Sequence, residues 1–99
     1  MKLNMSAQKF TADQKLLDFI QVKADKLDLF FDKIIDGEVF LRVDGDEANE
    51  NKVVEMKLNV PGNSLFVKEK SKSFEAATDS AVEALRRQLK KHKGKLLEK

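Results

Sequence analysis

The sequence predicts an α+β fold: a single domain in the order β-α-β-β-β-α, with a four-stranded mixed sheet and two parallel helices packed on one face. Two periodicities predict it. Apolar residues recur at helical spacing in residues 12–28 and again from Ser73 onward, whereas three stretches between residues 38 and 67 alternate apolar with polar at period two. At 99 residues and 41% hydrophobic, the chain can bury one core but not two, so residues 1–99 should form one domain.

Residues 2–6 alternate, with Leu3 and Met5 on one side, and read as a short first strand. Thr11 followed by Gln14 has the spacing of a capping box. Leu16, Ile20, Ala24, Leu27 and Phe31 then form the apolar stripe of a first helix running from about residue 12 to 28. Gly37 reads as a break. Val39, Leu41 and Val43 alternate with Glu38, Phe40, Arg42 and Asp44 as a half-buried second strand, and Val54, Met56, Leu58 and Val60 repeat the pattern as a third. Between them Gly45 to Asn51 is a polar, acidic loop. Asp44 to Asn49 has a faint calcium-loop look, but Ala48 and Asn49 stand where a further ligand and a glycine would be needed, so a solvated turn is expected. Val60-Pro61-Gly62-Asn63 suits a type II turn and returns the chain into a fourth strand with Leu65 and Val67. Ser73 is a suitable N-cap for a last helix whose stripe is Phe74, Ala77, Thr78, Ala81, Leu85 and Leu89. Gly94 is expected to end or fray that helix, leaving a tail, although Leu96 would still fall on the apolar side if the helix continued.

In this topology the first helix runs antiparallel to the first strand, and two strand reversals later the last helix points the same way as the first. Their C-terminal halves should lie side by side. On a helical wheel Lys15, Lys23 and Lys26 fall on one flank of the first helix, away from Asp18, Asp25 and Asp28.

Charge is sorted along the chain rather than spread. Residues 86–95 hold six cations (Arg86, Arg87, Lys90, Lys91, Lys93, Lys95) and no carboxylate, although the net charge of the whole chain is only +2. From Asp36 to Glu55 seven acids face Arg42 and Lys52, a local balance of −5. Cations near a helix C-terminus complement the macrodipole, but only within the last turn. Six over nearly three turns exceed that need, and a single-sign block attracts polyanions, above all those rich in phosphate. His92, the only histidine, lies near the edge of the apolar stripe and reads first as a boundary packing residue; Phe30 and Phe31 read as core and edge packing rather than as base-stacking platforms.

Other functional classes find little support. The chain has no cysteine, hence no disulfide framework and no thiolate metal site, and with one histidine no His-based cluster; no cofactor is expected. No nucleophile pairs with a base and no glycine-rich phosphate loop occurs, so the chain does not read as an enzyme. The N-terminal residues lack a signal-peptide apolar run and no segment reaches membrane-span length, so a cytoplasmic location is expected.

Residues 19–34 (FIQVKADKLDLFFDKI), together with residues 85–96 (LRRQLKKHKGKL), resemble the ribosome hibernation-promoting factor family, which includes the ribosome-associated inhibitor A and sigma-54 modulation proteins. The resemblance spans nearly the whole chain. It implies a fold similar to the double-stranded-RNA-binding domain, binding to the small ribosomal subunit in the mRNA and tRNA channel around the A and P sites, and silencing of translation in stationary or stressed cells. The family's basic residues correspond to Lys23, Lys26, Arg86, Lys90, Lys91, His92, Lys93 and Lys95; Arg87 joins them from the charge pattern. The chain lacks the second, dimerising domain of long members and looks like a short form, a monomer off the ribosome. Short forms are associated with ribosome dimers that need a separate modulation factor. Two other readings remain open: a generic double-stranded-RNA-binding domain, and an adaptor for an acidic protein.

Overall fold

The computed structural model describes residues 1–45 and 51–97, with side chains as far as Gly94. Six elements follow in chain order: β1 (Leu3–Ala7), α1 (Gln14–Phe30), β2 (Asp36–Val43), β3 (Lys52–Val60), β4 (Asn63–Ser71) and α2 (Phe74–Leu97). The sheet is ordered β1-β2-β3-β4, with β1 parallel to β2 and the other pairs antiparallel. This is the expected mixed sheet.

Strand alternation decides which face is covered. Val39 and Leu41 of β2, Val54, Met56 and Leu58 of β3, and Leu65 and Val67 of β4 join Leu16, Ile20 and Leu27 of α1 and Ala77, Ala81, Leu85 and Leu89 of α2 in one core. Both helices therefore lie on the same face. Burying each Leu, Ile, Val or Met side chain stabilises the fold by roughly 1.5–3 kcal/mol. On the opposite face Phe40 and Phe66 remain exposed.

Local signals explain the element ends, with four departures from expectation. The α1 N-cap is Asp13 and not Thr11: Asp13 is extended, and its Oδ1 accepts the Leu16 backbone N–H at 2.9 Å. Gly37 does not break the chain but lies inside β2, between Leu3 and Leu58 of the neighbouring strands. A Cβ there would sit 2.7 Å from Leu3 Cδ2 and 3.2 Å from the Lys57 carbonyl, so close strand packing requires glycine. Val43, on the core side by alternation, is exposed because β2 continues two residues past its last β1 partner, the Ala7–Leu41 pair. Finally, α2 does not end at Gly94 but continues to Leu97. Interior glycine costs about 1 kcal/mol relative to alanine, and the surrounding lysines and leucines are good helix formers.

The other signals act as expected. The Ala76 N–H donates to Ser73 Oγ at 3.0 Å, capping α2, and Gly62 takes φ +77 in the turn between the antiparallel β3 and β4. Phe10, in the connection before α1, stacks on Phe74 with ring centroids 5.1 Å apart and so fixes the start of α2. Residues 46–50, most of the acidic loop and of its calcium-like stretch, lie outside the described residues.

Candidate nucleic-acid interface

The apolar stripes of α1 and α2 turn toward the sheet, so one flank of each helix turns toward the other. The contacts advance in step along the two helices. Lys23 Nζ reaches Asp79 at 3.2 Å, Arg86 and Lys93 approach Phe30, and Phe31 meets His92. The helices are therefore parallel with their C-terminal halves side by side, as the topology requires. Lys23, Lys26, Leu27 and Phe30 from α1 and Asp79, Val82, Glu83 and Arg86 from α2 line a shallow cleft between them. Lys15 lies at the far, N-terminal end of α1, exposed to solvent.

Phe30 organises the basic end of this cleft. The Arg86 guanidinium carbon lies 5.2 Å and Lys93 Nζ 5.1 Å from its ring centroid, and Lys93 Nζ also donates to the Phe30 carbonyl at 3.3 Å. Phe30 ends α1, where carbonyls lack intrahelical partners and the macrodipole is negative. Since the last turn of α1 holds no basic residue of its own, Lys93 supplies that cation from α2. Each cation–π contact contributes about 0.5–1 kcal/mol at an exposed site, and it positions a charge without cancelling it. Lys23 makes a similar contact with Phe19, at 5.4 Å.

Helical spacing distributes the rest of the block. Arg86, Lys90 and Lys93 follow one another at intervals of four and three, on the flank toward α1. Arg87 and Lys91 are also exposed, but they neighbour Gln88, whose Nε2 donates to the Phe66 carbonyl at 3.1 Å on the β4 side. The block is thus divided between two flanks of α2 instead of forming one stripe. Among the described residues, Lys26, Arg87, Lys90, Lys91 and Lys93 have no carboxylate at ion-pair distance; Lys23 pairs with Asp79, and Arg86 with Glu83 at 3.7 Å. His92 is turned inward: its ring meets Phe31 edge-on at 5.6 Å, and its Nε2 is buried without a hydrogen-bond partner among the described residues. Lys95 lies in α2, but its side chain is outside the described part.

Sequence reasoning missed three things here. Asp79 and Glu83 enter the cationic cleft, although positions 79, 83, 86, 90 and 93 step by four, three, four and three and so mark one helix flank. Phe30 was expected only to pack in the core or at its edge, not to hold cations. On the other flank of α1, Asp25 and Asp28 accept the Met1 ammonium at 2.9 and 2.6 Å, while Gln21 donates to both the Met1 carbonyl and Asp25. Hydrogen bonding to Asp25 and then Asp28 holds the ammonium above its ordinary pKa of 8.0, and the ammonium holds Asp25 below 3.8.

A rigid, exposed row of cations can grip spaced phosphates, and no group of three or more His, Cys, Asp or Glu side chains among the described residues could hold a metal ion. The chain is 35% identical over 95 residues to a ribosome hibernation promoting factor of Pseudomonas putida, covering 96% of this chain and 89% of that protein. Its fold is similar to that of a ribosomal subunit interface protein from Coxiella burnetii (TM-score 0.83, 19% identity, 95% of this chain and 99% of that one). It is also similar to the N-terminal domain of Protein Y from Thermus thermophilus (TM-score 0.79, 24% identity, 93% and 99%). The model of the Sigma 54 modulation protein / S30EA ribosomal protein family matches residues 3–97, and the chain belongs to that family.

Proposed function

We propose that this protein is a ribosome hibernation factor: it binds the small ribosomal subunit in the mRNA and tRNA channel around the A and P sites and blocks translation by occupying that space, without turnover. One observation carries the reading. The exposed row Arg86, Lys90 and Lys93 is set beside Lys23 and Lys26 on a two-helix surface, with Arg86 and Lys93 directed by the Phe30 ring, an arrangement suited to rRNA phosphates. Membership in the family supports it, as does the name of the Pseudomonas relative. Lys23, Lys26, Arg86, Arg87, Lys90, Lys91, Lys93 and Lys95 are the proposed contacts, and His92 supports them through its packing on Phe31. The site of action is the cytoplasm of stationary or stressed bacterial cells, with the protein a monomer off the ribosome and a separate modulation factor the partner for any ribosome dimers.

Purified protein should co-sediment with small subunits and inhibit cell-free translation, and binding should weaken steeply with salt. Equal or tighter binding to a plain RNA duplex would favour a generic duplex-binding domain. The late placement of the cations on α2, after the Ser73-Phe74-Glu75 start, speaks against that. Failure to bind either RNA would leave an acidic protein as the partner.

A further inference from the structure

Two carboxylates stand inside the cationic cleft. Asp79 and Glu83 lie one turn apart on the flank of α2 that faces α1, and each pairs with a proposed phosphate ligand: Asp79 with Lys23 at 3.2 Å, across the helix pair, and Glu83 with Arg86 at 3.7 Å. Neither acid is buried; the Asp79 and Glu83 side chains are both 56% exposed. Exposed pairs of this kind add little stability, since solvent screens them and ordering the side chains has an entropic cost. Their position matters more than their strength. They offset two of the cleft's cations in the free protein, while among the described residues Lys26, Lys90 and Lys93 have no carboxylate at ion-pair distance.

We propose that Asp79 and Glu83 are specificity-determining residues, which lower the affinity of the cleft for arbitrary RNA more than for the small subunit. This rests on the rRNA-binding reading above. A polyanion held by net charge alone must displace a carboxylate from Lys23 or Arg86, or lay its phosphates beside an uncompensated anion. Either outcome opposes binding. An RNA surface of matching shape avoids it by placing its phosphates along Lys90 and Lys93 and on the sides of Lys23 and Arg86 away from the acids, so that no phosphate lies beside Asp79 or Glu83. Built-in repulsion against the wrong partner is a general route to specificity. The sequence order fits: Glu83 is the last acid before the carboxylate-free block of residues 86–95, so the penalty acts at the interhelical cleft and spares the distal row.

The double variant Asp79→Asn/Glu83→Gln preserves side-chain shape and tests this against Asp18→Asn/Asp32→Asn, which removes the same charge from exposed positions outside the cleft. Binding of the full chain to an unrelated RNA duplex and to purified small subunits would be measured across a salt series. For the cleft variant, duplex binding should tighten about tenfold and its salt slope steepen by about 1–2, because two cations become available to release counterions. Small-subunit binding should change less than about threefold, so the specificity ratio falls. The control should shift both ligands equally and weakly. Equal tightening of the two ligands by the cleft variant, unchanged duplex binding, or a control that matches the cleft variant would each overturn the proposal. Weaker small-subunit binding would overturn it too, identifying the acids as contacts or as supports for Lys23 and Arg86. Absence of small-subunit binding by the unaltered protein would sink the hibernation reading, whereas the duplex measurements would still report on the acids.

Discussion

The open face of the sheet and the C-terminal half of the helix pair both display cations, but they hold them differently. On the sheet, Arg42 donates from Nε to Asp44 at 3.0 Å and from Nη1 to Glu55, and Lys70 lies 3.7 Å from the other Asp44 oxygen. Hydrogen bonding to Glu55, then Asp44, raises the guanidinium pKa further, and Arg42 in turn lowers that of Asp44. At the helix pair, Lys93 rests on the Phe30 ring and the Phe30 carbonyl with no carboxylate at ion-pair distance among the described residues, whereas Arg86 rests on the same ring and also faces Glu83 at 3.7 Å. Orientation and neutralisation are therefore separable. A carboxylate orients a cation and cancels its field, whereas a ring or a carbonyl orients it and leaves most of the charge available to a ligand.

Cations whose charge is available should be the most sensitive to substitution. Reversing Lys90, Lys91 and Lys93 to Glu should weaken small-subunit sedimentation by about a hundredfold or more at moderate salt, because at least three phosphate contacts become repulsive. The melting temperature should hardly move, since exposed substitutions usually stay within about 0.5 kcal/mol. Arg42→Gln in the same assay should change binding less than about twofold, because its field is already cancelled. A loss as large as that from the lysines would mean that the sheet also contacts RNA.

A finer test removes orientation and keeps charge. Phe30→Leu retains an apolar side chain of similar reach but has no π face for Arg86 and Lys93, and should weaken binding about fivefold with the salt slope unchanged. Phe30→Tyr should restore it. If the leucine variant bound as tightly as the parent, the aromatic ring would be packing only.

The smallest effect lies on the acidic flank of α1, where charges are again satisfied within the fold. Asp25 has a depressed pKa, so its contribution to stability is present above pH 3.8 and is lost as pH falls through its lower folded value. The Met1 ammonium has a raised pKa, so its contribution is present below pH 8.0 and is lost as pH rises through its higher folded value. Melting temperature should therefore show a shallow plateau between these limits. Asp25→Asn should flatten its acid edge without altering RNA binding at neutral pH, and an unchanged acid edge would show that the clamp contributes nothing measurable.

Much of this was legible in the chain because local patterns carry it. Period-two alternation located β2 to β4, helical spacing chose Leu16, Ile20, Ala24 and Leu27 as the buried face of α1, and two reversals of direction required parallel helices. What failed depended on neighbours distant in sequence. Gly37 reads as a breaker until Leu3 and Leu58 pack against it, Val43 reads as core until β1 ends beside Leu41, and Thr11 reads as the cap until the Asp13 carboxylate accepts the Leu16 N–H.

The sequence by itself determined the element order, the core faces and the concentration of cations late in α2, since spacing along a regular backbone decides which side chains share a face. Only the tertiary structure decided which cations keep their charge. That depends on distances across the helix pair, which brought Phe30 to Arg86 and Lys93, Asp79 to Lys23, and Phe31 to His92. Electrostatic and aromatic contacts act over a few ångströms of space, whatever the separation along the chain.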